Sequence, residues 1–151
     1  MTELYPIEEL LVYWVYRAQT EGVALLSRRL KGAGYGITPE QFGVLARRRG
    51  EQGLNQTQLG ERMLKDRHNM TRILNLLEKH GYIERRRDSS DRRIFRIFLT
   101  ERGRGALEEL MPIVTMHIEE LLDGVTGRDQ QTALRSLKRI VTNIQKCGGE
   151  T

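Results

Sequence analysis

Cysteine is nearly absent from this chain: Cys147 is the single one in 151 residues. No disulfide can form within the chain, which points to a reducing compartment. Histidine is almost as scarce. His68, His80 and His117 show no metal-ligand spacing with one another or with Cys147. Neither a Gly-x-Ser-x-Gly elbow nor a P-loop occurs. The glycine cluster GAGYG (32–36) follows a predicted helix rather than a strand, so it reads as a helix end and connection. Carboxylate pairs such as Glu108-Glu109 and Glu119-Glu120 fall on predicted helix surfaces. No apolar run approaches the ~20 residues of a membrane span. The start, MTELYPIEELLVYW, lacks the basic opening of a signal peptide. Taken together, these absences predict a soluble, cytoplasmic protein that is not an enzyme, with no cofactor, no metal and no membrane partner.

The residues present tell more. Hydrophobic residues make up 38% and charged residues 30%, a balance compatible with one globular domain over 1–151. The net charge of +5 is unevenly spread. Residues 55–104 hold 13 Lys+Arg against 7 Asp+Glu; the remainder holds 12 against 13. One third of the chain thus carries the whole positive excess, which suggests a polyanionic partner, nucleic acid first. A basic surface that only aids solubility is the competing reading.

Apolar periodicity predicts helices over about 7–31, from Pro39, over 56–63, over 66–80, from Thr100 and over about 128–146. Thr38 and Gln41 form a capping box around Pro39, and the helix they start runs out near Arg49-Gly50. Leu59, Met63 and Leu64 should face inward on the short helix. Asp66 should cap the helix that follows, and Gly81 should stop it. Pro112 should bend the long helix after the hairpin. The last helix should bury Ala133, Leu134, Leu137, Ile140, Val141 and Ile144. Between them, 82–87 and 93–99 read as a β-hairpin. The fold class is mainly α with a small β-hairpin.

On the 66–80 helix, Met70, Ile73, Leu74 and Leu77 share one side. His68, Arg72, Asn75 and Lys79 lie opposite, with Asn69 and Thr71 on the flanks. Such a face can reach base edges and phosphates. The two helices before it complete a helix-turn-helix, whose second helix normally enters the major groove. The hairpin, ERRRDSSDRRIF at 84–95, carries five arginines and three carboxylates around two serines. Its tip, Asp88 to Arg93 with Arg92 beside Arg93, suits a minor groove, where the potential is most negative. Asp91 would steady Arg93 through a charge-assisted hydrogen bond. Phe95, Ile97 and Leu99 should pack on the helices. Arg85 to Arg87 either track phosphate or hold their strand in solvent.

Here the sequence resembles a known family. ITPEQFGVL, LNQTQLGERM and the block from Thr71 to Gly103 are similar, in register, to the MarR family of bacterial winged-helix regulators. That block runs Thr-Arg, Leu-Glu-Lys-x-Gly, an arginine-rich strand, Asp-x-x-Asp-Arg-Arg and Leu-Thr-x-x-Gly. The resemblance implies a winged helix-turn-helix lobe at 36–100, flanked by dimerisation helices at 5–34 and 101–147. It implies a triangular homodimer that reads a pseudo-palindromic operator on double-stranded DNA, more often as a repressor than an activator. Carried over by position, His68, Asn69, Thr71, Arg72 and Asn75 match the recognition helix. Asp91, Arg92 and Arg93 match the wing, and Thr57, Gln58 and Arg67 match phosphate contacts. His68 stands where the common pattern has a small hydroxyl residue. Many relatives are released from DNA by small, often phenolic, anions. Tyr13, Trp14, Tyr16, Arg17, Phe42 and Met111 are the corresponding ligand candidates, with core or dimer packing as the alternative for the aromatics. The first helix lacks the cysteine by which some relatives sense peroxide. A winged helix used only to bind another protein is the alternative function.

Overall fold

The computed structural model describes residues 6–47 and 53–148. A 3-10 turn, Ile7–Glu9, leads into α1, Leu11–Gly32. Helices α2 (Pro39–Arg47), α3 (Gln56–Met63) and α4 (Arg67–Lys79) follow. Strands β1 (Ile83–Arg87) and β2 (Phe95–Leu99) form the hairpin, and α5 (Glu101–Leu121) and α6 (Gly127–Gly148) complete the chain. The predicted end of α2 near Arg49-Gly50 lies outside the described residues. Two compact units are present, Met1–His117 and Ile118–Thr151.

Local chemistry sets the helix boundaries in the first unit. The Thr38 hydroxyl accepts from Gln41 N at 3.2 Å, and Gln41 Oε1 accepts from Thr38 N at 3.0 Å, so the predicted capping box is formed. Asn55 and Gln58 build a second box at the start of α3. Asp66 caps α4 by accepting from Asn69 N at 2.9 Å. Gly81, at φ 75°, takes the left-handed turn that ends α4 and releases the chain into β1. Each cap contributes about 1 kcal/mol.

Packing then joins these pieces. Leu45, Leu59, Met70, Leu74 and Ile97 are fully or almost fully buried, and the end of α1 adds Leu30. Burying a side chain of this size stabilises the fold by about 1.5–3 kcal/mol. The hairpin is antiparallel, with Ile83 opposite Leu99 and Arg87 opposite Phe95. Ile97 N donates to Leu54 O at 3.0 Å, and Asn55 bridges Arg96, so the residues before α3 extend the sheet beside β2.

Three expectations need correction. Leu64 is 92% exposed: it sits in a left-handed conformation at the end of α3, which turns its side chain outward. Phe95 is 44% exposed: it opens β2 at the tip end of the hairpin, where the Arg87 guanidinium lies 5.4 Å from its ring. On α6, Ala133, Leu134, Leu137, Val141 and Ile144 are exposed and Ile140 is half-buried. That unit holds too little chain to cover its own apolar stripe. The first half of α1 likewise exposes Leu11, Val12, Trp14 and Tyr16. Helix α5 continues through Pro112 without interruption.

One close approach locks the hairpin to α5. A Cβ on Gly103 would lie 2.0 Å from Tyr82 O, a carbonyl that also accepts from Thr100 N at 3.2 Å. The Thr100 hydroxyl accepts from Gly103 N and donates to Gly81 O. Gly103→Ala should therefore lower stability by about 2–3 kcal/mol, the cost of forced overpacking against backbone. Urea denaturation midpoints would measure it.

Candidate nucleic-acid interface

Helix α4 buries Met70, Ile73, Leu74 and Leu77 and turns His68, Arg72 and Asn75 to solvent. This is the arrangement expected from the spacing. Internal partners already orient most of the polar groups. The Thr71 hydroxyl donates to Arg67 O at 2.8 Å and accepts from Gln56 Nε2 at 2.6 Å. Asn69 Nδ2 donates to Asp66 Oδ2 at 2.7 Å. A guanidinium nitrogen of Arg72 lies 3.7 Å from Glu40 on α2, whose other oxygen pairs with Lys65. Gln58 spends its amide oxygen on the α3 cap, while Thr57 beside it is exposed.

The wing is organised from within. Asp88, 7% exposed, accepts from Ser90 N at 2.7 Å, from Asp91 N at 3.0 Å and from Arg96 Nε. Three donors hold its carboxyl down at about 2, the Asp91 amide contributing most. Arg96 passes the connection on, donating to Gly53 O at 2.7 Å. At the tip, Asp91 accepts from Arg93 Nε and Nη2, both at 3.1 Å, and from Arg93 N at 3.0 Å. The guanidinium lowers the Asp91 pKa and is itself held charged. The Arg93 side chain is nevertheless 90% exposed. Arg92 is exposed beside it.

Of the neighbouring strand arginines, Arg85 turns inward, while Arg86 and Arg87 are exposed and hold their strand in solvent, one of the two alternatives expected of them. Arg85 pairs with Glu78 and donates to Asn75 Oδ1 at 2.8 Å, tying the wing to α4. Arg86 pairs with Glu84 and lies over the Phe98 ring; Arg87 lies over Phe95. A cleft of about 980 Å³ separates helices from wing, with Thr57, Arg67, Thr71, Arg85, Arg93 and Phe95 on its walls.

Comparison with known proteins gives the lobe its relatives. A family model described as MarR family matches residues 35–94, from the approach to α2 through the wing turn. An uncharacterized HTH-type transcriptional regulator of Bacillus subtilis, YkoM, is 31% identical over 107 residues, 70% of this chain and 68% of that one. SarZ of Staphylococcus epidermidis, an HTH-type transcriptional regulator, is 33% identical over 72% of each. This chain belongs to the MarR family. Among solved structures, the transcriptional repressor CouR bound to a 23-mer DNA duplex aligns with a TM-score of 0.77 and 32% identity, covering 93% of this chain and 99% of that one. The MarR-family fold is thus present as a winged helix-turn-helix, and the protein is a DNA-binding transcriptional regulator.

Within that family frame, the structure brings His68, Asn69, Thr71, Arg72, Asn75 and the wing residues onto one lobe, with Thr57 and Arg67 between them. The ligand candidates are more scattered. The Tyr13 and Trp14 rings meet edge to face at 5.5 Å, and Arg17 lies 5.4 Å from the Trp14 ring, but Arg17 is already paired with Glu21 at 2.6 Å. Tyr16 is exposed, Phe42 is buried in the core and Met111 packs against that core. Sequence reasoning missed Gln56, Asp88 and Arg96 as organisers. The signal for Asp88 was available, since an aspartate two residues before Ser90 is a common side-chain-closed turn.

Asp88 makes the wing acid-sensitive. A carboxylate with a depressed pKa adds stability above its ordinary value of 3.8, and that stability is lost as pH falls toward about 2. The Ser90 amide resonance should titrate in that window, and Asp88→Asn should abolish the titration. Proton–nitrogen NMR against pH is the measurement.

Proposed function

We propose that this regulator is a homodimeric repressor. Each 36–100 lobe places α4 in a major groove and the Arg93 tip in the adjacent minor groove of a pseudo-palindromic operator. The observation that carries this reading is the Arg93 guanidinium, 90% exposed yet held at 3.1 Å by Asp91. A charged side chain fixed in solvent has surrendered its rotamer freedom before any partner arrives, which favours a polyanion. In this reading His68, Asn69, Arg72 and Asn75 face bases, Thr71 is a flank contact, and Thr57, Gln58, Arg67 and Arg92 meet phosphates. Two lobes on one DNA face read half-sites about 10 base pairs apart.

The 5–34 and 101–147 helices form the dimer interface. Support comes from α6, where Leu134, Leu137, Val141 and Ile144 make an exposed stripe at helical spacing. A second copy of the same stripe is its natural cover. Leu137→Arg with Val141→Arg should convert the dimer to monomer in sedimentation velocity and weaken operator binding in parallel.

Relief by a small aromatic anion is the regulatory part of the proposal. The Tyr13, Trp14 and Arg17 cluster supports it, with the anion competing against Glu21 for Arg17. Because Trp14 is the sole tryptophan, a panel of aromatic acids should quench its fluorescence, and Arg17→Ala should remove the response.

Footprinting on the protein's own upstream DNA tests the central reading. Affinity for the protected duplex should fall roughly a thousandfold between 50 and 200 mM salt, as phosphate-bound counterions are released. Arg93→Ala should weaken binding with folding intact, and Arg72→Ala should relax base preference by about 1–3 kcal/mol. Salt-insensitive binding, unchanged by either variant, would favour a protein-binding module instead.

A further inference from the structure

The geometry points to Asn75 as a guanine-preferring, donor-only reader whose polarity is set by the positioning residue Arg85. The inference rests on the DNA-binding reading above and sharpens it at one base pair.

Asparagine commonly reads adenine through both ends of its amide. The oxygen accepts from adenine N6 and the nitrogen donates to N7. Here the oxygen already accepts a charge-assisted bond that directs it toward β1. Arg85 Nη2 donates to Asn75 Oδ1 at 2.8 Å, and the same guanidinium holds Glu78 through Nη1. A guanidinium carries only donors, so the atom facing it must be the amide oxygen and the flip is settled chemically. Arg85 cannot drift away easily. Its side chain is 20% exposed, and its own backbone N donates to Glu78 Oε1 at 3.3 Å. Asn75 therefore turns its Nδ2 hydrogens outward, and among the described residues no acceptor takes them. Against adenine, those donors meet N7 but oppose the N6 amino group. Against guanine, they meet N7 and O6, both acceptors. Asn69 makes the contrast. Asp66 takes one of its Nδ2 hydrogens, leaving the oxygen and the other hydrogen for an adenine-type contact.

The test is selection from randomised duplexes with the full-length wild type and with Asn75→Ala, Arg85→Leu and Arg85→Lys. The base pair whose preference vanishes in Asn75→Ala should be read by the wild type as guanine over adenine by roughly tenfold. Arg85→Leu frees the amide oxygen and should move that ratio severalfold toward adenine. Arg85→Lys offers one nitrogen where the guanidinium offers two; it keeps the ion pair with Glu78 and should shift the ratio the same way. If Arg85→Leu fails to fold, Arg85→Lys carries the test. An adenine preference in the wild type overturns the inference. So does a ratio unmoved in the folded Arg85 variants, or an Asn75→Ala protein with no changed base pair. A wild type that enriches no sequence overturns the DNA-binding reading itself, a different failure.

Discussion

The wing depends on one carboxylate. Asp88 accepts from two turn amides and from Arg96, and Arg96 reaches back to Gly53 ahead of α3. Remove its side chain and the turn loses Oδ1, the acceptor its two amides share, while Arg96 loses Oδ2, the partner that aims it at the helix-turn-helix. Because Asp88 is buried at the base of an otherwise solvated turn, its hydrogen bonds are exchanged less readily with water. The tip beyond it can then be polar, exposed and still defined. Asp91 and Arg93 add a second closure on top of the first.

A matching constraint operates on the other side of the cleft. Arg85 binds β1 to the recognition helix through Glu78 and Asn75, so wing and helix are held by charge-assisted bonds as well as by the packing of Ile97 and Leu74. Their separation is thus set by bonds within the lobe. Gly103, which lets Tyr82 O approach α5 closely, fixes where the hairpin begins. The positive charge of this region is thus of two kinds. Arg85 and Arg96 are spent on carboxylates that tie the wing to the rest of the lobe, while Arg92 and Arg93 are presented outward.

Sequence alone revealed what short range determines. The Thr38–Gln41 box, the Asp66 cap, the Gly81 stop and the Asp91–Arg93 pair each involve residues within a few positions, where spacing dictates geometry. Links between distant residues were not legible. Gln56 with Thr71, Arg85 with Asn75 and Arg96 with Gly53 exist only once α3, α4 and the hairpin are docked. Phe95 shows the limit of periodicity differently. Alternation correctly placed Ile97 inward, yet it assigns a face and says nothing of how deeply each residue on that face is buried. Leu64 failed for a related reason: hydrophobicity suggested burial, but a left-handed helix end turned the side chain out. The α6 stripe was legible as apolar, and the structure shows its own unit leaving it uncovered.

The central claim is that the wing arginine is preorganised by its carboxylate for a polyanion. Charge and preorganisation predict opposite signs for Asp91→Ala. Removing a negative group near phosphates should tighten binding if net charge governs, and weaken it if the carboxylate acts by fixing Arg93. Fluorescence anisotropy with the footprinted duplex, using Asp91→Ala alone and combined with Arg93→Ala, separates them. The account predicts that Asp91→Ala weakens binding severalfold in the wild-type background and does not weaken it once Arg93 is gone. Tighter binding by Asp91→Ala with Arg93 present would contradict it.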